Sequence, residues 1–266
     1  MRRGCRLAGV VATVVASVGL TAVGTAMADT PTAKPAKVSG SITVSAAASL
    51  AEVFTKMGTD FEKKHKGTTV TFNFAASSAL ASQIQGGAPA DVFASADGAN
   101  MQKVVTSEQV TDPVDFTANP LPIVVKKGNP GKVKKLGDLP NLGVISLCAA
   151  AVPCGRYATQ MLQQDGITIP QENITLGQDV KATLAAVYPG DADAAIVYVT
   201  DAKAAGSDVT EVAIPASLNV LAVYPIAPIA GSQNAKLADA WIDYVLSSAG
   251  QKTLASYGFL PVPTTA

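Results

Sequence analysis

Four stretches of this sequence set the start of a helix directly after a strand. Ser49 follows an apolar run at residues 42–44, and Ser77 with Ser78 follows another at 69–74. Pro153-Cys154-Gly155 and Asp179-Val180 open two more helices. The first turn of a helix has backbone N–H groups with no intrahelical acceptor and carries the positive end of the helix dipole. In open α/β sheets such starts lie beside the crevice at the carboxyl ends of the strands. Several of them aimed at one point form an anion site without any arginine or lysine. The ordinary role of a serine or aspartate there is to cap its own helix, worth ~1 kcal/mol. Asp179 reads as such a cap outright, because its carboxylate would repel an anion. Tyr198 ends an apolar strand, where a tyrosine is usually a core ring with its hydroxyl at the rim. Tyr188 and Trp241 suit the same packing role.

Other chemistries find little support. A serine or cysteine nucleophile needs a base beside it, and the single histidine, His65, sits in a basic run with Lys63, Lys64 and Lys66. No Gly-x-Ser-x-Gly elbow, phosphate loop or dinucleotide glycine motif occurs. A hydrolytic enzyme is therefore a remote alternative, and no catalytic residue is assigned.

The elements that must hold these groups alternate. Strands are expected at 42–44, 69–74 and 92–93, with helices at 50–64, 79–85 and 98–106. The pattern restarts with strands at 121–126, 144–147 and 194–198 and helices at 155–164 and 180–188. An extended run at 220–226, an amphipathic helix at 234–246 and a final turn through Gly250 and Gly258 complete it. Strand followed by helix argues for a mainly parallel sheet in an α/β fold. The restart suggests two lobes, joined by extended crossings near 116–123 and 220–228. One continuous doubly wound sheet is the alternative.

The chain opens as an export signal does. Arg2, Arg3 and Arg6 precede an apolar stretch at 7–20, and Ala26-Met27-Ala28 gives a small-x-small cleavage pattern. The stretch is shorter than the ~20 apolar residues of a membrane span. Cleavage after Ala28 would remove 28 of the 266 residues and three of the 20 basic ones, leaving a slight acidic excess. Such a balance argues against nucleic acid or an anionic membrane as partner. Residues 29–40, rich in Pro, Lys, Thr and Ser, read as a tether. Cys5 leaves with the signal, so Cys148 and Cys154 remain. Two cysteines in an exported chain suggest a disulfide, worth roughly 2 kcal/mol for so small a loop; two free thiols are the alternative. A zinc site would want more ligands nearby.

Taken together, the segments Ile42 to Leu50, Phe74 to Ile84 and Gly87 to Asp97 resemble the molybdate-binding proteins of ABC importers. So do Val152 to Ala158, Asp179-Val180, Ala195 to Ala202 and Tyr257-Gly258-Phe259, in the same order and spacing. The resemblance covers about residues 42–260. It implies the type II periplasmic-binding-protein fold, with two α/β lobes, a hinge and a ligand cleft between the lobes. Lobe I would take residues 41–120 and 225–266, and lobe II residues 121–224. Carried over by motif, the ligand-binding groups are the hydroxyls of Ser49, Ser77 and Tyr198 and the backbone N–H groups of Cys154 and Val180. These would surround molybdate as an oxyanion, with no protein atom on the metal. Two departures stand out. The cluster Ala76-Ser77-Ser78 has one hydroxyl fewer than some members, and Cys154 replaces a frequent alanine.

The resemblance further implies a monomeric, exported receptor, periplasmic or on the cell-envelope exterior, with no cofactor. It would pass molybdate, and tungstate of nearly the same size, to the membrane subunits of an ABC permease. Sulfate, another oxyanion or a small organic anion is the alternative ligand.

Overall fold

The structure, a computed structural model, describes residues 38–264. The expected export signal and most of the tether lie outside the described residues.

The first half builds alternating strands and helices. β1 (Gly40–Ala47) starts exposed and then buries Ile42, Val44 and Ala46 at the period-2 spacing of a strand. A 3₁₀ turn at Ala48–Leu50 leads into α1 (Ala51–Lys64). The helix buries Val53, Phe54, Met57 and Phe61, one stripe at 3.6-residue spacing. There follow β2 (Thr68–Ala75), α2 (Ser77–Gln85), β3 (Val92–Ala94), α3 (Gly98–Thr106) and β4 (Val114–Asn119).

The chain then crosses to a second set: β5 (Ile123–Lys126), β6 (Ile145–Cys148), α4 (Pro153–Gln164), β7 (Ile174–Gly177), α5 (Val180–Ala185), β8 (Ala194–Ile196), α6 (Val199–Ala205) and β9 (Val209–Val212). It returns through β10 (Ala222–Pro228) and ends in α7 (Ala235–Leu246) and α8 (Ser248–Tyr257). Gly258 stops α8 in the left-handed conformation, at φ 104°, which a side chain would strain.

Two five-stranded sheets result, ordered β2-β1-β3-β10-β4 and β7-β6-β8-β5-β9. Each is mixed: four strands run one way, in keeping with the strand–helix alternation, and one is reversed. β1 pairs parallel with β2 and β3, and β6 with β7 and β8. β10 runs antiparallel to β3 and β4, and β5 antiparallel to β8 and β9. The reversed strands β5 and β10 are those that arrive from the other sheet, so no crossover helix of their own sheet sets their direction.

The two crossings are tied together. Asn219 in the returning segment accepts from the N–H of Leu121 at 3.1 Å and donates to its carbonyl at 2.8 Å. α7 packs its Trp241 under the first sheet, edge-on to Phe54 and Phe61 at 5.5 Å each, fully buried. Trp241 thus takes the core role expected of it, whereas Tyr188 is 49% exposed. It follows the short α5 and precedes Pro189, in a turn. Among the described residues no helix is long and apolar enough to cross a membrane.

Candidate functional site

Six strand ends face one small cavity. Ala47 to Ser49, Ala76-Ser77 and Ala96 come just after β1, β2 and β3 of the first sheet. Val152 to Cys154, Asp179-Val180 and Tyr198 come just after β6, β7 and β8 of the second. These are the parallel strands of each sheet, so all six contribute their carboxyl ends, where helix starts present free N–H groups. The five residues singled out in the sequence, Ser49, Ser77, Cys154, Val180 and Tyr198, all line this cavity. Among the described residues no lysine, arginine or histidine does. The space open to the centre of a water-sized body is about 10 Å³, roughly what one water needs. Only a compact ligand suits it.

Neither cavity serine caps its helix. The caps of the 3₁₀ turn and of α2 are Ala47 and Ala76, neither of which has a side-chain hydroxyl to offer. Ser49 lies instead in the 3₁₀ turn with its Oγ 2.9 Å from the hydroxyl of Tyr224. Ser77 Oγ accepts from the N–H of Ala96 at 2.9 Å. A hydroxyl that accepts such a bond still has its own proton to give. Asp179, by contrast, is the cap it reads as in the sequence: its carboxylate accepts from the N–H of Ala182 at 2.8 Å.

Tyr198 is 1% exposed, and its hydroxyl has no hydrogen-bond partner. A buried, unpaired hydroxyl is costly, by about 1–3 kcal/mol, and is rare in folded proteins. Here it faces a cavity lined by other donors. Burial pushes the Tyr198 phenol well above its ordinary range and raises Tyr224 likewise. Both keep their protons and remain donors.

The loop after β6 is shaped by two residues. The sulfurs of Cys148 and Cys154 stand at bonding distance, with their Cα atoms 5.7 Å apart. Gly155 packs its Cα against the carbonyls of Cys148 and Ala149, where any Cβ would collide. The loop therefore folds back tightly and delivers the α4 start to the cavity, with Pro153 in the first turn.

Charges nearby come in matched pairs that bridge the sheets. The guanidinium of Arg156 on α4 contacts the carboxylate of Asp97, the cap of α3. Lys181 on α5 bonds both carboxylate oxygens of Glu52 on α1, at 2.7 and 2.8 Å, and lies 2.8 Å from the buried Asp201. Burial pulls the Lys181 ammonium down, but Asp201 and Glu52 together outweigh it and the net shift is upward. Burial pushes the Asp201 carboxyl up, against the opposing pull of Lys181. The sequence reading missed Tyr224, Asn119 and these pairs. The partners stand on different elements, from 20 to 175 residues apart, so no spacing marks them.

The arrangement collects neutral donors and suits a small anion. The profile of the family described as bacterial extracellular solute-binding protein matches residues 42–260. The chain is 38% identical to the molybdate-binding protein ModA of Mycobacterium tuberculosis, over 91% of this chain and 92% of that one. It belongs to the ModA family of extracellular solute-binding proteins. The fold is that of the family: the periplasmic molybdate-binding protein of Azotobacter vinelandii superposes with a TM-score of 0.75 at 19% identity, over 84% of this chain and all of that one. The sulfate-binding protein SubI of Mycobacterium tuberculosis gives 0.76 at 21% identity, over 84% and 87%. This chain thus has the two-lobed α/β fold of these binding proteins.

Proposed function

We propose that this protein is the extracytoplasmic receptor of a molybdate ABC importer. It would capture molybdate, and tungstate of similar size, between its lobes and deliver it to the permease. The observation that carries this reading is the meeting of hydroxyl and N–H donors from both sheets in one small cavity free of cationic side chains. The donors are the hydroxyls of Ser49, Ser77 and Tyr198 and the N–H groups of Cys154 and Val180. No cofactor and no catalytic step enter.

The chemistry favours a fully deprotonated tetrahedral dianion. Every oxygen of molybdate accepts and none donates, so a lining of donors satisfies all of it. Hydrogen phosphate brings an O–H that would find no acceptor, a penalty of ~1–3 kcal/mol. Sulfate passes that filter, and its exclusion would rest on cavity size. The same reading takes residues 1–28 as a removed export signal and 29–40 as a tether. Residues 41–120 with 225–266 form lobe I and 121–224 lobe II. Cys148 and Cys154 are oxidised outside the cytoplasm.

The test is a melting series of the mature chain with molybdate, tungstate, sulfate, phosphate and small organic acids. A ligand that binds only the native state raises the melting temperature by mass action. Molybdate and tungstate should give the largest shifts at micromolar concentration. A shift with sulfate or an organic acid alone would replace molybdate as the ligand.

A further inference from the structure

Ser49 is held from behind by a chain of hydrogen bonds that reaches the second sheet. Asn119, the last residue of β4, is fully buried and donates from Nδ2 to Thr200 Oγ1 at 2.9 Å and to Tyr224 Oη at 3.4 Å. Tyr224 on β10 is also fully buried, and its hydroxyl lies 2.9 Å from Ser49 Oγ. A phenol has one proton to give. With Asn119 donating to Tyr224 Oη, Ser49 Oγ at 2.9 Å is the nearest acceptor for that proton. The Ser49 proton is then left to point into the cavity that Ser49 lines.

We propose that Asn119 and Tyr224 are positioning residues that hold the Ser49 hydroxyl in place with its proton turned toward the cavity, and so favour oxyanions that only accept over protonated ones. The proposal rests on the oxyanion reading above and adds the origin of its selectivity. A lone serine hydroxyl can rotate to give or to take a hydrogen bond, so by itself it does not discriminate molybdate from hydrogen phosphate. With Tyr224 donating to it, Ser49 offers its proton to the cavity and keeps a single lone pair for which a phosphate O–H would have to compete. The opposite orientation of the Asn119 amide would have its oxygen accept from Tyr224. Ser49 would then donate backward and turn lone pairs to the anion, which would weaken binding.

Those two orientations give opposite signs in one experiment. Calorimetric titration of the mature protein with molybdate and with phosphate at neutral pH is compared for wild type and Tyr224→Phe. Loss of the hydroxyl should weaken molybdate binding about tenfold and narrow the molybdate-to-phosphate ratio by at least as much, as for a hydrogen bond to a group that meets charge. The loss should vanish in a Ser49→Ala background, because Tyr224 acts only through Ser49. Unchanged or tighter molybdate binding, an unaltered ratio, or an equal loss in the Ser49→Ala background overturns the proposal. Should Tyr224→Phe fail to fold, as judged by its melting curve, Asn119→Ala removes the donor at the other end of the chain and must move affinity and ratio in the same direction. Wild-type protein that takes no molybdate sinks the functional reading instead, and the donor chain is then tested on sulfate against phosphate.

Discussion

Lys181 and Glu52 join the two sheets beside the cavity, with Nζ at 2.7 and 2.8 Å from the carboxylate oxygens. Lys181 follows Val180, which lines the cavity, and Glu52 lies three residues beyond Ser49. The pair therefore links the two walls of the site without touching its contents. Its side chains are 29% and 43% exposed, so it contributes at most about 1 kcal/mol.

Glu52→Gln should leave the melting temperature of the empty protein within about 4 °C of wild type. Oxyanion affinity should fall by a factor of up to about five and lose part of its salt dependence. Titration at low and high salt checks this, and an unchanged salt dependence would remove the pair from closure. Lys181→Met is expected to be far worse. It strands the fully buried Asp201, and removing one partner of a buried pair costs about 3–5 kcal/mol.

Tyr198→Phe should move stability and binding in opposite directions. Among the described residues the buried hydroxyl has no hydrogen-bond partner, so its removal should raise the melting temperature of the ligand-free protein slightly. It should also weaken molybdate binding by ~1–3 kcal/mol, as for a donor deleted beside a charge. Melting curves with and without ligand read both effects. Unchanged affinity would take Tyr198 out of the site.

Cys154→Ala tests whether the backbone or the sulfur matters at the α4 start. The N–H survives the change, so binding should persist within about tenfold, while stability falls by roughly 2 kcal/mol with the crosslink gone. A reductant should lower the melting temperature of the wild type by the same amount. Complete loss of binding in a folded variant would overturn the backbone assignment.

Stability at high pH should follow the buried phenols. Burial pushes Tyr157 up to about 12 and raises Tyr198 and Tyr224 above their ordinary value of 10. In the unfolded chain these groups lose their protons near pH 10, before the folded ones do, so deprotonation draws the equilibrium toward unfolding. Their contribution is complete below pH 10 and is lost as pH rises toward 12 and beyond. The melting temperature should fall across that interval, less steeply in Tyr224→Phe. A flat profile would contradict the burial of these rings.

Much of the fold is local and was legible. The stripe Val53, Phe54, Met57 and Phe61 marks α1, and the alternation of Val70, Phe72 and Phe74 marks β2. Short elements escaped notice. β7 and β9 have four residues each and mix polar with apolar positions. α8 was read as a turn through Gly250 and Gly258, yet Gly250 lies inside the helix where α8 packs closely on the end of α7. Strand direction was illegible for β5 and β10, because an apolar run has no polarity until its neighbours are known.

By itself the sequence determined where donors arise. A helix that starts just after a strand leaves N–H groups unpaired wherever the chain goes next, and that follows from local geometry. Only the tertiary structure decided that six such strand ends from two sheets face one cavity. It alone set Tyr224 behind Ser49, 175 residues apart in the chain. Convergence and that contact depend on how distant segments pack, which no local pattern encodes.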